Sequence, residues 1–402
     1  MDILVTALTL SLSASATGAP FAIRGGAAEI VWTNSYRSDG EDWINDIAPM
    51  RDGSFLAVGF LNRVDGDAPS DWRALASRFG GDGAVSWTRE YGAGGAIDAF
   101  WTAREREDGA LAFAGLTTRV GPGGINAYVA VTDEAGAILK ENGYGAAGYD
   151  TITGLARTAD GFIGAGHAEG LDGRDVLLVG LDRDGIEIWR KIFAEKGSNG
   201  ALYIEPAGDG AFIVAGGSSP DGTADMLVIK VDAQGGEIWR RMIGDPQADD
   251  INHGLAALAD GRIALAGYTN GWGAGEHDLM LAILGADGET LSIEIIGGAG
   301  DERARSLKAD GEGKLWIVGH SSSGGGDQDG LIVRASGDGR FDGGALLLGG
   351  DGADVASAIQ PLGGDAILVG GYGGDATPDA YVARLSKIRL KAQSFLAARK
   401  VK

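Results

Sequence analysis

Phe55-Leu56-Ala57-Val58-Gly59 is the stretch around which the chain is organised: an apolar run that ends on a glycine. It returns as LAFAG at 111–115, FIGAG at 162–166, FIVAG at 212–216, IALAG at 263–267, LWIVG at 315–319 and ILVG at 367–370. Consecutive end glycines lie 56, 51, 50, 51, 52 and 51 residues apart. A fixed period of this length marks a chain assembled from repeated structural units.

One unit, residues 199–239, shows the parts. A first run at 201–206 reaches a turn at Gly208-Asp209-Gly210, and the glycine-ended run follows. After a polar loop come Asp225 and the run 226–231. A second turn, Asp232-Ala233-Gln234-Gly235, leads into Glu237-Ile238-Trp239. These are four short β segments separated by turn residues, with no helical period to compete. Parallel βαβ units need helical crossovers between strands, and none is written here. Seven units of four antiparallel strands predict an all-β, seven-bladed β-propeller.

The unit boundaries also predict how the ring closes. Trp recurs in the fourth strand as Trp32, Trp87, Trp189 and Trp239, with Lys140, Ser292 and Gly344 at the equivalent places. Trp32 precedes the first complete unit, whereas the seventh unit ends at Leu385 without a fourth strand. The N-terminal strand Glu29-Ile30-Val31-Trp32 is therefore expected to complete the last blade, which removes an open sheet edge. The chain divides into a leader and linker at 1–26, the propeller at 27–385 and a tail at 386–402.

The combination of Gly-Gly-x-Gly-x-Asp, the Asp-Gly turn with its glycine-ended strand, and Asp-x-x-Gly-x-x-x-Trp resembles the β-propeller repeats of secreted and cell-surface bacterial proteins. The endings at 182–189 and 232–239 are also distantly similar to quinoprotein-type propeller repeats. The resemblance covers residues 29–385 and implies a fold. Eight blades and a dedicated quinone pocket are not evident, so no quinone cofactor is expected.

Composition narrows the partners. The 71 glycines are about two and a half times the usual ~7% share and stand at fixed offsets, as turns and close approaches do. A formal charge of −22 disfavours nucleic acid, whose backbone needs clustered Lys and Arg. Cysteine is absent, which removes disulfides and thiolate chemistry. The run ILVTALTLSL at 3–12, followed by Ala14-Ser15-Ala16, has the outline of a secretory signal, although Asp2 stands where a basic residue is usual. Export to periplasm, cell surface or medium is the expectation. No segment is long enough to span a bilayer as a helix.

The tail carries six positive charges and no acid, on a body of −28. Ile388, Ala392, Phe395, Leu396 and Arg399 fall at helical spacing, which predicts a short basic helix. Lys387, Arg389, Lys391, Phe395, Arg399 and Lys400 are its candidate contacts to the acidic propeller, an anionic membrane surface or a partner.

Two aspartate series recur. Asp42, Asp98, Asp150, Asp250, Asp301 and Asp354 precede first strands, with Asn199 in the fourth unit. Asp71, Asp175, Asp225, Asp278, Asp329 and Asp379 precede third strands, with Asn126 in the second. Both should ring one face. A carboxylate ring can hold Ca²⁺, with the first series as the alternative metal set and 349–354 matching a single calcium-nonapeptide core. Recurrence in every unit favours turn organisation instead, so no cofactor is required.

Residues that break the repeat carry more information. Trp43, Trp72, Trp101, Tyr268, Trp272, His167 and His320 are candidate binding residues, since exposed rings can stack on sugars or anchor a protein contact. No nucleophile elbow, phosphate loop or zinc motif is present. The preferred reading is a non-catalytic scaffold of the cell envelope that binds a protein or glycan through its loop face. The alternatives are a polysaccharide hydrolase or lyase using His253 and Asp250 at the channel mouth, and a Ca²⁺-dependent structural module.

Overall fold

The computed structural model describes residues 21–63, 71–145, 148–194, 196–220, 222–323, 327–350, 352–374, 378–393 and 396–401. Of the leader and linker at 1–26, residues 1–20 lie outside these. The described chain forms seven antiparallel sheets and no helix. In blade 1 the strands Trp43–Pro49, Phe55–Arg63, Asp71–Phe79 and Val85–Tyr91 pair in sequence order, each with the next. Blades 2 to 6 repeat the pattern.

Blade 7 has Val355–Gly363, Ala366–Gly373 and Asp379–Arg389 from the end of the chain and takes Ala27–Tyr36 as its fourth strand. Trp32 lies opposite Arg384 and Ile30 opposite Leu385, so the orphan strand closes the ring as its spacing predicts. The seven glycine-ended runs are the second strands. In the last unit the register moves the structural glycine one place, from Gly370 to Gly371.

The buried side chains form seven clusters, each shared by two neighbouring blades, which together run round the ring. Strands covered on both faces need no polar side, which is why third strands such as Asp278–Leu284 are continuous apolar runs, buried at every residue. Fourth strands face solvent and alternate, as Glu187–Phe193 does.

The tryptophans of the fourth strands reach the next blade. The Trp32 indole donates to the Gly81 carbonyl at 3.1 Å, and that of Trp87 to the Glu134 carbonyl at 3.1 Å. Trp189 and Trp239 lie over Gly235 and Gly288 of the following blades, where a side chain would collide with the indole. These contacts are the inter-blade packing expected of the series.

The end glycines have a sharper cause. Every first strand carries one extra residue relative to its second strand: Asn45, Trp101, Thr153, Leu202, His253, Arg305 and Ser357. The bulge pushes a first-strand carbonyl oxygen against the second strand. A Cβ on Gly59, Gly115, Gly166, Gly216, Gly267, Gly319 or Gly371 would overlap the oxygen of Trp43, Ala99, Thr151, Gly200, Ile251, Arg303 or Val355. The glycine that repeats in the sequence is thus the partner of a bulge that aims one side chain per blade at the axis.

The tail departs from the helical expectation. The third strand of blade 7 runs on to Arg389, with Ile388 buried against blades 6 and 7. Ala397–Val401 is a strand on the outer edge of blade 5, paired with Thr290–Gly297. The open backbone edge offers hydrogen bonds along its length, and a five-residue segment gains more from them than from an isolated helical turn. Ala22–Arg24 covers the edge of blade 6 in the same way. The Lys387 ammonium pairs with Glu29 at 2.7 Å, Lys391 exchanges backbone bonds with Ala345, and the Arg399 guanidinium donates to the Gly273 carbonyl at 3.4 Å. Lys400 stands opposite Glu294, and Arg389 opposite Ala27. Phe395 lies outside the described residues.

Candidate functional site

Each first strand begins on the face where the aspartates lie, here called the upper face, and descends along the axis. Its bulge residue and the position two before it face the upper mouth of the channel. The residue after each end glycine, paired with that earlier position, completes the wall: Phe60, Leu116, His167, Gly217, Tyr268, His320 and Tyr372. The frame repeats, and these side chains do not.

From blade 7 through blade 2 the wall is aromatic. Trp43 meets Tyr372 at a centroid distance of 4.3 Å. Phe60 stacks on Trp72 at 4.4 Å and lies edge-on to Trp101 at 6.4 Å. Phe60 and the three tryptophans, with Ile97, Ile125 and Tyr149, form an eighth apolar cluster at the mouth, in which the tryptophans are only partly buried. In blade 3 Tyr149 stacks on His167 at 5.4 Å beneath the Arg174 guanidinium, 4.7 Å from the ring centroid.

Blades 5 and 6 make the opposite wall. His253 stacks on Tyr268 at 5.7 Å, and His277 meets the same ring edge-on at 5.2 Å. Arg303 lies 4.6 Å from the centroid of Tyr268, binds Asp301 at 2.7 Å and touches His277 Nδ1 at 3.1 Å. Burial, with help from Arg305, pushes His253 down to about 3 and His320 to about 4. Burial and Arg174 take His167 to about 4. All three are neutral at neutral pH, so positive charge at the mouth rests on Arg174, Arg303 and Arg305.

Glu276, His277 and Asp301 stand close enough together to hold one metal ion. The Arg303 guanidinium already bridges Asp301 and His277, however, and supplies the positive charge that a cation would bring.

The expected sites separate accordingly. Trp43, Trp72, Trp101, Tyr268, His167 and His320 all reach the upper mouth. Trp272 folds back onto the core between blades 4 and 5. Asp250 and His253 are not brought together: the Asp250 carboxylate is buried and accepts from the Asp245 amide at 2.6 Å, whereas His253 faces the channel.

The first aspartate series stays inside its blades. Asp42 accepts the Asn62 amide at 3.0 Å, Asp98 the Thr117 hydroxyl at 2.6 Å, Asp150 the Glu169 amide at 3.2 Å and Asp354 the Gly350 amide at 2.7 Å. In blade 6 this place belongs to Glu302, bound by the Gly298 amide and Ser321 hydroxyl at 2.7 Å each, and not to Asp301. Such bonds organise turns.

Phe60, Tyr149, His277, Arg303, Arg305 and Tyr372 are site residues that sequence reasoning missed. The residue after each end glycine, and the one thirteen or fourteen places before it, would have pointed to most of the wall. These are columns that vary where the frame is constant.

The lower end of the channel opens into a depression of about 480 Å³ lined by residues such as Asp46, Arg104, Glu205, Lys308 and Gln360. Four of its charges pair with one another, Arg104 with Asp46 at 3.2 Å and Lys308 with Glu205 at 3.0 Å. The upper mouth is the better candidate.

No family model matches the chain, and no curated protein matches it. Among solved structures it is similar to Chaetomium thermophilum Sqt1 bound to the N-terminus of ribosomal protein L10. The identity is 11% and the TM-score 0.50, with 87% of this chain and 98% of that one covered. It is also similar to the polysaccharide lyase Uly1, at 12% identity and a TM-score of 0.49, with 85% and 89% covered. At such identities the likeness to Sqt1 shows the propeller fold and leaves the activity open.

Proposed function

We propose that the protein is a carbohydrate-binding propeller whose ligand lies across the upper mouth of the channel, without chemistry of its own. The observation that carries this reading is the arc of half-buried rings, Trp43, Trp72 and Trp101 around Phe60. Blade packing requires no aromatic at these places: the equivalents of Trp101 include Thr153 and Ser357, those of Trp43 include Thr151 and Val355, and the blade-2 equivalent of Trp72 is Ile125. Partly exposed indoles present flat apolar faces of the kind that stack on sugar rings. A large ring costs little side-chain entropy when it is already held by its neighbours.

The test is a glycan array with the purified protein, followed by calorimetry on the best ligand. Trp101→Ala is expected to weaken binding tenfold or more while leaving the melting temperature within a few degrees. An array with no binder would overturn the reading. Sqt1 holds a protein N-terminus on the same architecture, so cross-linking to a single protein partner through this face would favour that class instead. Turnover of a bound polysaccharide, lost in His253→Ala, would favour an enzyme.

The reading also places the protein outside the cytoplasm, on the strength of the apolar run at 3–12. A native protein that retains Met1 would remove that part.

A further inference from the structure

Arg305 is the channel-facing bulge residue of blade 6 and makes no ion pair with any described residue. Its Nε is buried without a hydrogen-bond acceptor. The other cations near the axis are committed: Arg303 binds Asp301, Lys308 binds Glu205, and Arg174 lies over Tyr149. Around Arg305 stand His253, His320 and Tyr372, none of which offers a negative charge. Below it the Tyr203 hydroxyl crosses from blade 4 and donates to the Arg305 carbonyl at 3.3 Å.

A buried guanidinium nitrogen is costly unless an acceptor meets it, and an anion meets it best. In a chain of net −22 acids are plentiful, yet no described one is placed to pair with this one.

The wall has one gap. In blade 4 two of the three facing positions are glycines, Gly200 and Gly217, which leaves Leu202 as the one side chain. Gly217 has no positive φ, and a Cβ on it would find its nearest neighbour, the Asp225 carbonyl oxygen, at 3.8 Å. A Cβ on Gly200 would meet His167 in ordinary contact at 3.5 Å. Neither contact forbids a side chain, so the glycines leave room for an extended ligand to run outward.

Resting on the carbohydrate reading, we infer that Arg305 receives an anionic substituent, a carboxylate or sulfate, of an acidic polysaccharide that leaves the mouth over blade 4. The arginine fork suits either group bidentately.

The experiment is calorimetry of the full chain against uronate-containing and sulfated polysaccharides, each paired with its carboxyl-reduced or desulfated form. One charged form is expected to bind at least tenfold more tightly than its neutral counterpart, and which pair shows the difference identifies the group. Arg305→Gln should erase that difference, and Arg305→Lys should keep part of it. Gly217→Phe should weaken long chains and spare short fragments at an unchanged melting temperature. Neutral forms bound equally well, with Trp101→Ala still harmful, would overturn the anion site and leave the carbohydrate reading standing. Binding of no form in the panel would overturn both.

Discussion

At the scale of single residues, the buried carboxylates of the first series make a measurable trade. Asp354 is removed from water, lies near Asp329 and Asp327, and is pushed up to about 7 from an ordinary value of 3.8. Between those values the folded chain holds more protons than the unfolded one. The stability Asp354 contributes is therefore full at low pH and is lost as pH rises through about 7. Asp354→Asn, which keeps an acceptor for the Gly350 amide, should raise the melting temperature by about 1–2 °C at pH 8, by less at pH 5 and by nothing at pH 3, below the ordinary value. Equal shifts at pH 5 and pH 8 would show that the folded carboxylate is already charged across that range. The recurrence of this aspartate was legible in the sequence, and so was its turn role. That blade 6 uses Glu302 in place of Asp301 was not, because adjacent acids are distinguished only by which side chain turns inward.

At the scale of elements, the bulge and its glycine form one device. Gly319→Ala would drive a Cβ into the Arg303 carbonyl oxygen, and relief requires the first strand of blade 6 to lose its bulge. A cost of about 2–4 kcal/mol is expected by chemical denaturation, with the aim of Arg305 disturbed as well. Gly217→Ala, one blade-wall position without such a constraint, serves as the control and should change stability by less than about 1 kcal/mol. A mild effect at Gly319 would mean that the bulge is soft. The tail tests the edge strand. Deletion of 397–402 should cost blade 5 only its fifth strand, whereas deletion of 386–402 also removes buried Ile388 and should destabilise far more. Equal effects from both truncations would argue against the packing of Ile388. Helical spacing in the tail misled because periodicity reports which faces are apolar. It does not report whether a neighbouring sheet offers its open edge.

At the scale of the molecule, closure by Ala27–Tyr36 is what turns seven sheets into a ring. Removing residues 21–36 should expose the third strand of blade 7, abolish a single cooperative unfolding transition and promote self-association. A monomer that still melts in one step would show that the ring closes without that strand. The sequence by itself determined the repeat, the four strands of each unit, the number of blades and the strand that closes the ring. These follow from local patterns of apolar residues and turns, copied seven times. Tertiary structure alone decided which side chains share the upper mouth. Trp43 and Tyr372, or Tyr203 and Arg305, stand about 330 and 100 residues apart in the chain. They meet because a one-residue bulge, invisible in a hydrophobic pattern, turns each first strand toward an axis that exists only once the ring has closed.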